Sequence, residues 1–406
     1  MPLDKMEEKI QKKLDKLEEE GTLKGEELVI TGVEKSPDGN APRYKIEGEE
    51  GSFLKMNSNS YLGLHLNEEV IEAEEESSEK YGSGPGAVRF IHGTYKPHVE
   101  LEEKLANFHG KESCVIYSSA YATMTGILRP LTSDETLILS DELNHNCIIN
   151  GIRMAKPKGK DIYSHLDNDS LEAKLQEATG TYDRVIVVTD GVFSMRGDYP
   201  DLSELVSKVR KYDSEFEDGV FTVMDDSHGV GAYGETGRGT TEVTGEEGID
   251  LIVSTMGKAL GVNGGYVVTK ETIARYLRET SPFYIYSNPI TAPEAEAATK
   301  SLEILDSERG ISMLDHLSKM TNYFEDGLKN IGHEVIEGPH PVVPLMTRDT
   351  KKTRDMVDYL KENEILATAI VYPVVPQGDE SIRFQISADH TKEDLDYVLK
   401  KIDQFE

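Results

Sequence analysis

The chain has 406 residues, more than one hydrophobic core usually accommodates, so a large domain with a smaller one packed beside it is expected. Its 75 acidic and 44 basic residues give a net charge of −31, which disfavours nucleic acid as a partner because duplex binding depends on clustered Lys and Arg. No stretch approaches the ~20 apolar residues of a membrane helix, and residues 1–20 lack the pattern of a signal peptide, so the sequence predicts a cytoplasmic protein without a membrane span.

The acidic surplus has two interpretations. It can form a solvated surface that resists aggregation, or it can suit a cytoplasm rich in salt, where screening removes most self-repulsion. The two cysteines, Cys114 and Cys147, are too few for a disulfide framework and lack the spacing of metal ligands. Both are predicted to be reduced core residues, and no metal site is predicted.

In chain order, the sequence opens with a predicted amphipathic helix over 1–20, in which Met6, Ile10, Leu14 and Leu17 recur at helical spacing. Short strand-like runs follow at 27–33, 44–46 and 53–56. From about residue 97 helical and strand-like segments alternate, and the strand runs are 113–117, 136–139, 161–163, 184–188, 220–224, 251–254 and 265–268. This alternation predicts an α/β domain with a largely parallel sheet, whose ligands lie beyond the carboxyl ends of the strands.

The last quarter of the chain has a different pattern. After a proline-containing stretch at 281–293, a predicted helix at 295–305 leads into 310–406, which has the pattern of a compact α+β unit ending in a helix at 392–405. The predicted organisation is therefore an N-terminal helix and small β segment (1–56), a large α/β domain (57–290), and a linking helix with a C-terminal α+β domain (291–406).

Lys258 and Asp225 are the central candidates for chemistry. Lys258 stands just past the run 251–254, among glycines that let the backbone pass close to a flat ligand, and Asp225 stands 258 − 225 = 33 positions earlier, after the run 220–224. Pyridoxal 5′-phosphate (PLP) chemistry needs an amine that forms a Schiff base and a carboxylate that keeps the pyridine nitrogen protonated. His228 can donate to the ring oxygen. Plainer interpretations are a solvated lysine, a helix N-cap and a core histidine.

Three further features fit a phosphorylated ring less specifically. Residues 118–120 lead from a strand into the helix predicted at 121–128, whose N-terminus offers free N–H groups to a phosphate, although Ser-Ser before a helix is commonly an ordinary cap. Thr255 can add a hydroxyl. His145, at the start of the next helix on the same sheet edge, can stack on the ring or bind a carboxylate, or it can be no more than a polar cap or core residue.

Eight ordered motifs then resemble one family. They are 59–64 (NSYLGL), 88–94 (VRFIHGT), 140–149, 189–195 (TDGVFSM), 225–228, 255–261 (TMGKALG), 372–376 (YPVVP) and 382–388 (IRFQISA). From about residue 25 to the C-terminus the chain resembles the α-oxoamine synthases, fold-type I PLP enzymes that condense an amino acid with an acyl-CoA. The resemblance implies that Lys258 carries the Schiff base, that Asp225 and His228 bind the ring, that His145 stacks on it, and that Ser194 contacts it.

The resemblance also implies how phosphate and substrate are held. Thr255 and the backbone of Ala120 and Tyr121 would bind the phosphate, and Ser287 and Asn288 would reach the phosphate of the opposite subunit, so a homodimer with shared active sites is expected. Asn59 and Arg383 are expected to hold the amino-acid carboxylate. Arg383 lies in an alternating run typical of a strand, with Gln385 on the same face.

The substrates are less closely defined. The motifs at 189–195 and 372–376 resemble the glycine C-acetyltransferase subgroup, which implies glycine and acetyl-CoA. The segment 120–124 and the short loop 261–265 depart from that subgroup, so another amino acid or a longer acyl-CoA, of the 8-amino-7-oxononanoate, aminolevulinate or serine palmitoyltransferase type, stays open. A basic cluster at 153–160 is either a CoA-binding patch or a solvated loop.

Two different classes of protein fit parts of the same pattern. An aminotransferase would share Lys258 and Asp225, but an amino acid alone would convert its cofactor to the amine form. A non-catalytic scaffold subunit of a heterodimer would have no physical need of a Schiff-base lysine, so the presence of Lys258 argues against it.

Overall fold

A computed structural model describes residues 3–20, 22–23 and 27–405. The helices, in chain order, are α1 (Asp4–Glu19), α2 (Glu68–Tyr81), α3 (Lys96–Phe108), α4 (Ala120–Leu131), α5 (Asn146–Ala155), α6 (Asn168–Ala178), α7 (Leu202–Tyr212), α8 (Thr240–Thr244), α9 (Glu271–Thr280), α10 (Pro282–Ile285), α11 (Ala292–Leu305), α12 (Glu308–Asn330), α13 (Thr350–Glu362) and α14 (Lys392–Asp403). The first seven strands are β1 (Ile30–Glu34), β2 (Arg43–Ile46), β3 (Phe53–Lys55), β4 (Ser113–Tyr117), β5 (Thr136–Asp141), β6 (Gly159–Tyr163) and β7 (Arg184–Asp190). The others are β8 (Val220–Asp225), β9 (Leu251–Thr255), β10 (Gly265–Thr269), β11 (Val342–Met346), β12 (Ile365–Leu366), β13 (Thr368–Ile370) and β14 (Ser381–Gln385).

The centre of the molecule is a seven-stranded sheet of order β4-β10-β9-β8-β7-β5-β6. The pairs β9–β8, β8–β7, β7–β5 and β5–β6 are parallel, and β10 runs antiparallel to both of its neighbours. Alternate residues of β7 face opposite sides, with Val185 and Val187 in one apolar cluster and Ile186 and Val188 in another. Helices therefore cover both faces, and the predicted α/β fold with a mostly parallel sheet is confirmed.

Two smaller sheets complete the fold. One has the order β1-β2-β3-β12 and the other the order β11-β14-β13. Because β12 pairs in parallel with β3, the N-terminal β segment shares a sheet with the C-terminal part of the chain. The domain boundaries stay a prediction, but this pairing ties residues 53–55 to 365–366.

The N-terminal helix is an isolated element. Helix α1 forms where the apolar periodicity predicts it, yet none of its described side chains is buried, and Met6, Ile10, Leu14 and Leu17 are all exposed. The strand predicted at 27–33 begins only at Ile30, and residues 24–26 lie outside the described part. Within the described ranges, no helix is both long and apolar enough to cross a membrane.

The carboxyl ends of the parallel strands gather polar side chains at one edge of the large sheet. Strands β7 and β8 end side by side, with Asp190 opposite Asp225 in register, and β9 ends at Thr255 beside them. Helices α4 and α5 start at this same edge, each with a side-chain N-cap, Ser119 and His145 respectively. Because parallel strands end at the same edge of a sheet, this arrangement brings distant segments together.

Candidate active site

A cavity of about 180 Å³ opens at this edge of the sheet. Its walls come from the loops that follow β4, β5, β7, β8 and β9, and the lining residues are Ser119, Ala120, Tyr121, His145, Cys147, Asp190, Val192, Ser194, Asp225, Ser227, His228, Thr255 and Lys258. Eight residues that the sequence singled out for PLP therefore line one cavity. In the described part of the chain, no group of three or more His, Cys, Asp or Glu side chains is arranged to hold a metal ion.

Lys258 reaches the cavity from a tight loop after β9. The loop is closed by backbone hydrogen bonds from Met256 to the Gly264 carbonyl (3.0 Å) and from Val262 to the Met256 carbonyl (3.0 Å). Gly261 has a φ of +72°, and a Cβ there would lie 2.5 Å from the backbone nitrogen of His65, so glycine is required at this approach. Burial lowers the pKa of Lys258, although the charge of Asp225 opposes this shift. The lowered pKa favours a neutral, nucleophilic amine.

Asp225 is a buried carboxylate with fixed partners. One oxygen, Oδ1, accepts the Ser227 N–H at 3.1 Å, and Oδ2 accepts the Cys147 thiol at 3.4 Å. Next to it, burial and the negative charge of Asp225 raise the pKa of Asp190 well above its usual range. The raised pKa favours the protonated form of Asp190, so Asp225 is the carboxylate of this small space that can stabilise a cationic ring nitrogen.

His145 is held at the start of α5 by its own backbone and side chain. Its N–H donates to Asp190 Oδ2 at 2.9 Å, and its Nδ1 accepts the Cys147 N–H at 3.2 Å. Because Nδ1 accepts, the ring proton lies on Nε2. Although much of the residue is exposed, desolvation of the ring lowers the pKa of His145 against the opposing charge of Asp225. The imidazole is therefore neutral near pH 7 and available to stack on a ring.

His228 is a buried residue of the same cavity wall. Its Nδ1 lies 2.6 Å from the hydroxyl oxygen of Tyr61. Burial lowers the pKa of His228 well below its usual range, and the charge of Lys258 adds to the effect. The imidazole is therefore neutral, with one nitrogen fixed by a tyrosine and the other able to face the cavity.

The start of α4 forms the anion-binding end of the cavity. The Ser119 hydroxyl accepts the Ala122 N–H at 3.1 Å, whereas the first N–H groups of a helix, here those of Ala120 and Tyr121, have no intrahelical acceptor. The Thr255 hydroxyl faces the same region but also donates to the Gly264 carbonyl at 3.1 Å. These donors fit a phosphate group at this end.

Ser287 and Asn288 do not line this cavity. They follow the short helix α10, where the Ser287 hydroxyl donates to the Asn288 carbonyl at 3.4 Å and Asn288 is exposed. Their expected role toward a second subunit stays a prediction.

Arg383 and Asn59 lie together beside the cavity. Arg383 Nη1 donates to the Ser194 carbonyl at 2.9 Å and Nη2 to Gln385 Oε1 at 3.4 Å, while its buried Nε has no partner among the described residues. Gln385 in turn donates to Asn59 Oδ1. An arginine with an unsatisfied buried donor next to a cavity wall fits recognition of a carboxylate.

Several lining residues were not predicted from the sequence. Cys147 is buried and outside any disulfide, as expected of a core residue, yet it also lines the cavity. Asp190 stands out only as part of the motif 189–195, and Ser227 and Val192 had no predicted role. Asp190 could have been predicted from two strands that both end in Asp. If such strands are parallel neighbours, as β7 and β8 are, their last residues lie side by side. Cys147 has no such signal, because its contact with the β8 carboxylate depends on how α5 packs.

The basic cluster at 153–160 does not adjoin the cavity. Lys158 and Lys160 lie at the amino end of β6, the edge of the sheet opposite to Lys258. Lys158 is also engaged, since it pairs with Glu135 and donates to the Thr181 carbonyl at 3.1 Å. The solvated-loop interpretation describes these lysines better than a CoA-binding patch at this cavity.

Comparison with known proteins agrees with this geometry. The family profile described as aminotransferase class I and II matches residues 52–402. The chain is 37% identical over 399 residues to the 8-amino-7-oxononanoate synthase of Petrotoga mobilis, covering 98% of this chain and 97% of that one. It is also 37% identical over 382 residues to the human mitochondrial 2-amino-3-ketobutyrate coenzyme A ligase, covering 94% and 87% of the two chains.

A solved structure extends the likeness to the fold. The serine palmitoyltransferase of S. paucimobilis, determined with bound PLP and myriocin, matches with a TM-score of 0.88 and 25% identity over 99% of this chain and 97% of that one.

Proposed function

This chain belongs to the α-oxoamine synthases of the class I and II aminotransferase family, and we propose that it condenses glycine with an acyl-CoA. The acyl donor that we propose is acetyl-CoA, and the products are a 2-amino-3-oxo acid and free CoA. The reverse reaction, thiolysis by CoA, would use the same groups. The chain is a PLP-dependent enzyme. The observation that supports the proposal best is the meeting of Lys258, Asp225 and His228 in one cavity beside Arg383 and Asn59.

When bound, PLP would withdraw electrons from the Cα of an amino-acid substrate, and the Lys258 amine would hold the cofactor. Asp225 would accept the hydrogen bond of the ring N–H, which its burial between Ser227 and Cys147 would strengthen. The Lys258 amine would remove a proton from the Cα of the bound amino acid, a task for which its lowered pKa suits it. The neutral His145 would lie against one face of the ring and exclude water.

The substrate carboxylate is assigned to Arg383 and Asn59. A guanidinium can bind a carboxylate through two parallel hydrogen bonds, and Nε of Arg383 is the donor still without a partner among the described residues. Asn59 is held by Gln385, which also contacts Arg383, so the two groups that would bind the carboxylate form one network.

A second candidate is synthesis of 8-amino-7-oxononanoate. It is favoured by relatives of that name, which match this chain as well as the 2-amino-3-ketobutyrate ligases do. Both reactions would use the same catalytic groups. They differ in the side chain of the amino acid, in the length of the acyl group, and in the loss of CO2 that formation of the nine-carbon product requires in the second reaction.

The deciding experiment is a CoA-release assay that crosses glycine, alanine and serine with acetyl-, succinyl-, pimeloyl- and palmitoyl-CoA. We expect the glycine and acetyl-CoA pair to give the highest kcat/KM. Highest turnover with alanine and pimeloyl-CoA would establish the second candidate instead. The Lys258→Ala variant is the blank, and it should lose both CoA release and the visible absorbance of the lysine-linked cofactor.

An aminotransferase and a scaffold subunit make different predictions in the same experiment. An aminotransferase would convert its cofactor to the amine form when given an amino acid alone, so the visible absorbance would disappear without acyl-CoA. A scaffold subunit would show no CoA release with any pair. We expect neither result.

A further inference from the structure

Tyr61 is a fully buried tyrosine that does not line the cavity but touches a residue that does. Its hydroxyl oxygen lies 2.6 Å from Nδ1 of His228, within the range of a short hydrogen bond. Tyr61 comes from the segment 59–64, which precedes the large sheet in the chain, so this hydrogen bond links residues 167 positions apart.

His228 is held by its backbone as well as by its ring. His340 Nε2 donates to the His228 carbonyl at 2.8 Å, and the Val342 N–H donates to His340 Nδ1 at 3.2 Å, which fixes the proton of His340 on Nε2. The rings of Tyr61 and His340 meet edge to face at 5.5 Å. Buried rings from separate segments therefore enclose His228 on the side away from the cavity.

The direction of the Tyr61–His228 hydrogen bond follows from the two groups that make it. Burial raises the pKa of the Tyr61 hydroxyl and lowers that of the His228 ring, so both are neutral, and a phenol O–H is a stronger donor than an imidazole N–H. Lys258, His340, Arg383 and His145 all face His228 with positive or neutral groups, and a neutral ring is the form they favour. The Tyr61 hydroxyl is therefore the donor, and Nδ1 of His228 accepts its proton at 2.6 Å.

We propose that Tyr61 is a positioning residue: it holds His228 in the tautomer with the proton on Nε2 and aims that N–H at the ring oxygen of PLP. The inference rests on the placement of His228 at the cofactor under the proposed function. Gln385 is hydrogen-bonded to Arg383 and Asn59, and Tyr61 follows Asn59 by two positions in the segment 59–64, so one segment carries a residue assigned to the carboxylate and the residue that positions His228.

The test is the pH titration of the visible absorbance of the holoenzyme for wild type, Tyr61→Phe and a matched control, Tyr266→Phe. Tyr266 is also fully buried and hydrogen-bonded to a histidine, with its hydroxyl 2.8 Å from His109 Nε2, but it lies outside the cavity. An N–H aimed at the ring oxygen stabilises its deprotonated form. Loss of one such oriented hydrogen bond should raise the pH midpoint of the absorbance titration by about half a pH unit to one pH unit in Tyr61→Phe. The midpoint of Tyr266→Phe should equal that of wild type.

Equal midpoints for Tyr61→Phe and Tyr266→Phe would overturn the role of Tyr61. The variant His228→Asn separates this failure from that of the underlying assignment: if it leaves the midpoint at the wild-type value, His228 is not at the ring and both proposals fall. Nitrogen-15 NMR of histidine-labelled wild-type holoenzyme gives an answer even if Tyr61→Phe does not fold. We expect the Nε2–H tautomer for the signal that disappears in His228→Asn, and the Nδ1–H tautomer would overturn the inference.

Discussion

Arg383 is the residue whose replacement should separate substrate binding from cofactor binding. It contacts the Ser194 carbonyl and Gln385 but keeps one buried donor without a partner among the described residues. A lysine at this position retains the charge but cannot make two parallel hydrogen bonds to a carboxylate. We therefore expect Arg383→Lys to keep PLP and to weaken glycine binding by roughly 1.5–3 kcal/mol, about ten- to hundredfold.

The measurement is a titration of the holoenzyme absorbance with glycine. The matched control is Arg348→Lys, since Arg348 forms an exposed pair with Glu334 in the C-terminal part of the chain. Saturation of Arg383→Lys at the wild-type glycine concentration would mean that another group holds the carboxylate.

His165 gives the protein a defined dependence of stability on pH. Its Nδ1 lies 2.9 Å from Asp141 Oδ1, and its Nε2 lies 3.3 Å from Asp198 Oδ2. Burial alone would lower its pKa, but the hydrogen bonds to the two carboxylates overcome this and raise the pKa of His165 from 6.5 to about 9. A raised pKa in the folded state means that the proton stabilises the fold below pH 6.5 and that this contribution disappears as the pH rises through 9.

Denaturant unfolding at pH 6 and pH 9.5 checks this contribution. Between pH 6 and pH 9.5, we expect the free energy of unfolding of wild type to fall by on the order of 2 kcal/mol more than that of His165→Asn, after allowance for solvent screening. His92→Asn is the control, because His92 is exposed and its φ of +60° is one that asparagine adopts readily. A pH profile of His165→Asn parallel to that of wild type would rule out the carboxylate pair as its cause.

At the scale of elements, the start of α4 depends on a close approach to β10. A Cβ at Gly265 would lie 2.2 Å from the Ala120 nitrogen and 2.3 Å from the Ser119 carbonyl carbon. Gly265→Ala must therefore push the start of α4 away from the sheet, and with it the N–H groups assigned to the phosphate. Strain of this kind costs about 1–3 kcal/mol, and we expect the affinity for PLP to fall about tenfold or more.

Equilibrium dialysis against PLP measures the affinity. Gly84→Ala is the control, since a Cβ there meets nothing within 4 Å and its backbone does not require glycine. Unchanged PLP affinity in Gly265→Ala, with α4 intact by circular dichroism, would show that the start of α4 does not bind the phosphate.

Local patterns predicted most of the elements because each needs only a few neighbouring residues. The strand runs at 113–117 and 220–224 match β4 and β8 to within one residue, and the ends of those strands bring the candidate site residues to one edge. The start of α4 lies one residue before the predicted position because Ser119 provides the cap. The sequence therefore predicted the cavity-lining residues at strand ends, such as Asp225, better than those placed by packing, such as Cys147.

The contacts that sequence missed are long-range. The pairing of β12 with β3 joins residues about three hundred positions apart, and no local pattern specifies it. Tyr61 carried only a motif resemblance until its contact with His228 became visible. Similarly, the apolar positions of α1 predicted the helix correctly, but not that its side chains would all remain exposed.

At the scale of the whole molecule, many of the basic side chains lie within local ion pairs. Lys208 pairs with three carboxylates, those of Asp169, Glu172 and Glu204. The net charge of −31 stays spread over the surface. Its negative field would repel a polyanion such as CoA. For the proposed acyl-CoA substrate, we therefore expect recognition to rest on local donors near the cavity rather than on the overall field.

Exposed apolar side chains near helix α10, which Ser287 and Asn288 follow, favour assembly with a second copy; Tyr286 precedes Ser287, and the segment 89–93 contacts α10. Tyr286 is 79% exposed, and Phe90 and Ile91 are 64% and 54% exposed, unusual values for large apolar groups on a monomer. We expect a homodimer in which Ser287 and Asn288 of one subunit complete the phosphate site of the other. An isologous interface would then create two equivalent shared sites.

Complementation tests the shared site directly. In a heterodimer of Lys258→Ala and Asn288→Ala chains, one site carries both defects and the other carries none. Random mixing of equal amounts makes half of the dimers mixed, so activity should recover to about a quarter of wild type, well above either variant alone. The control mixes Lys258→Ala with Asp225→Ala, which lie in the same cavity of one chain, and this pair should recover nothing. A fully active monomer by light scattering, or no recovery in the Asn288→Ala mixture, would contradict the shared site.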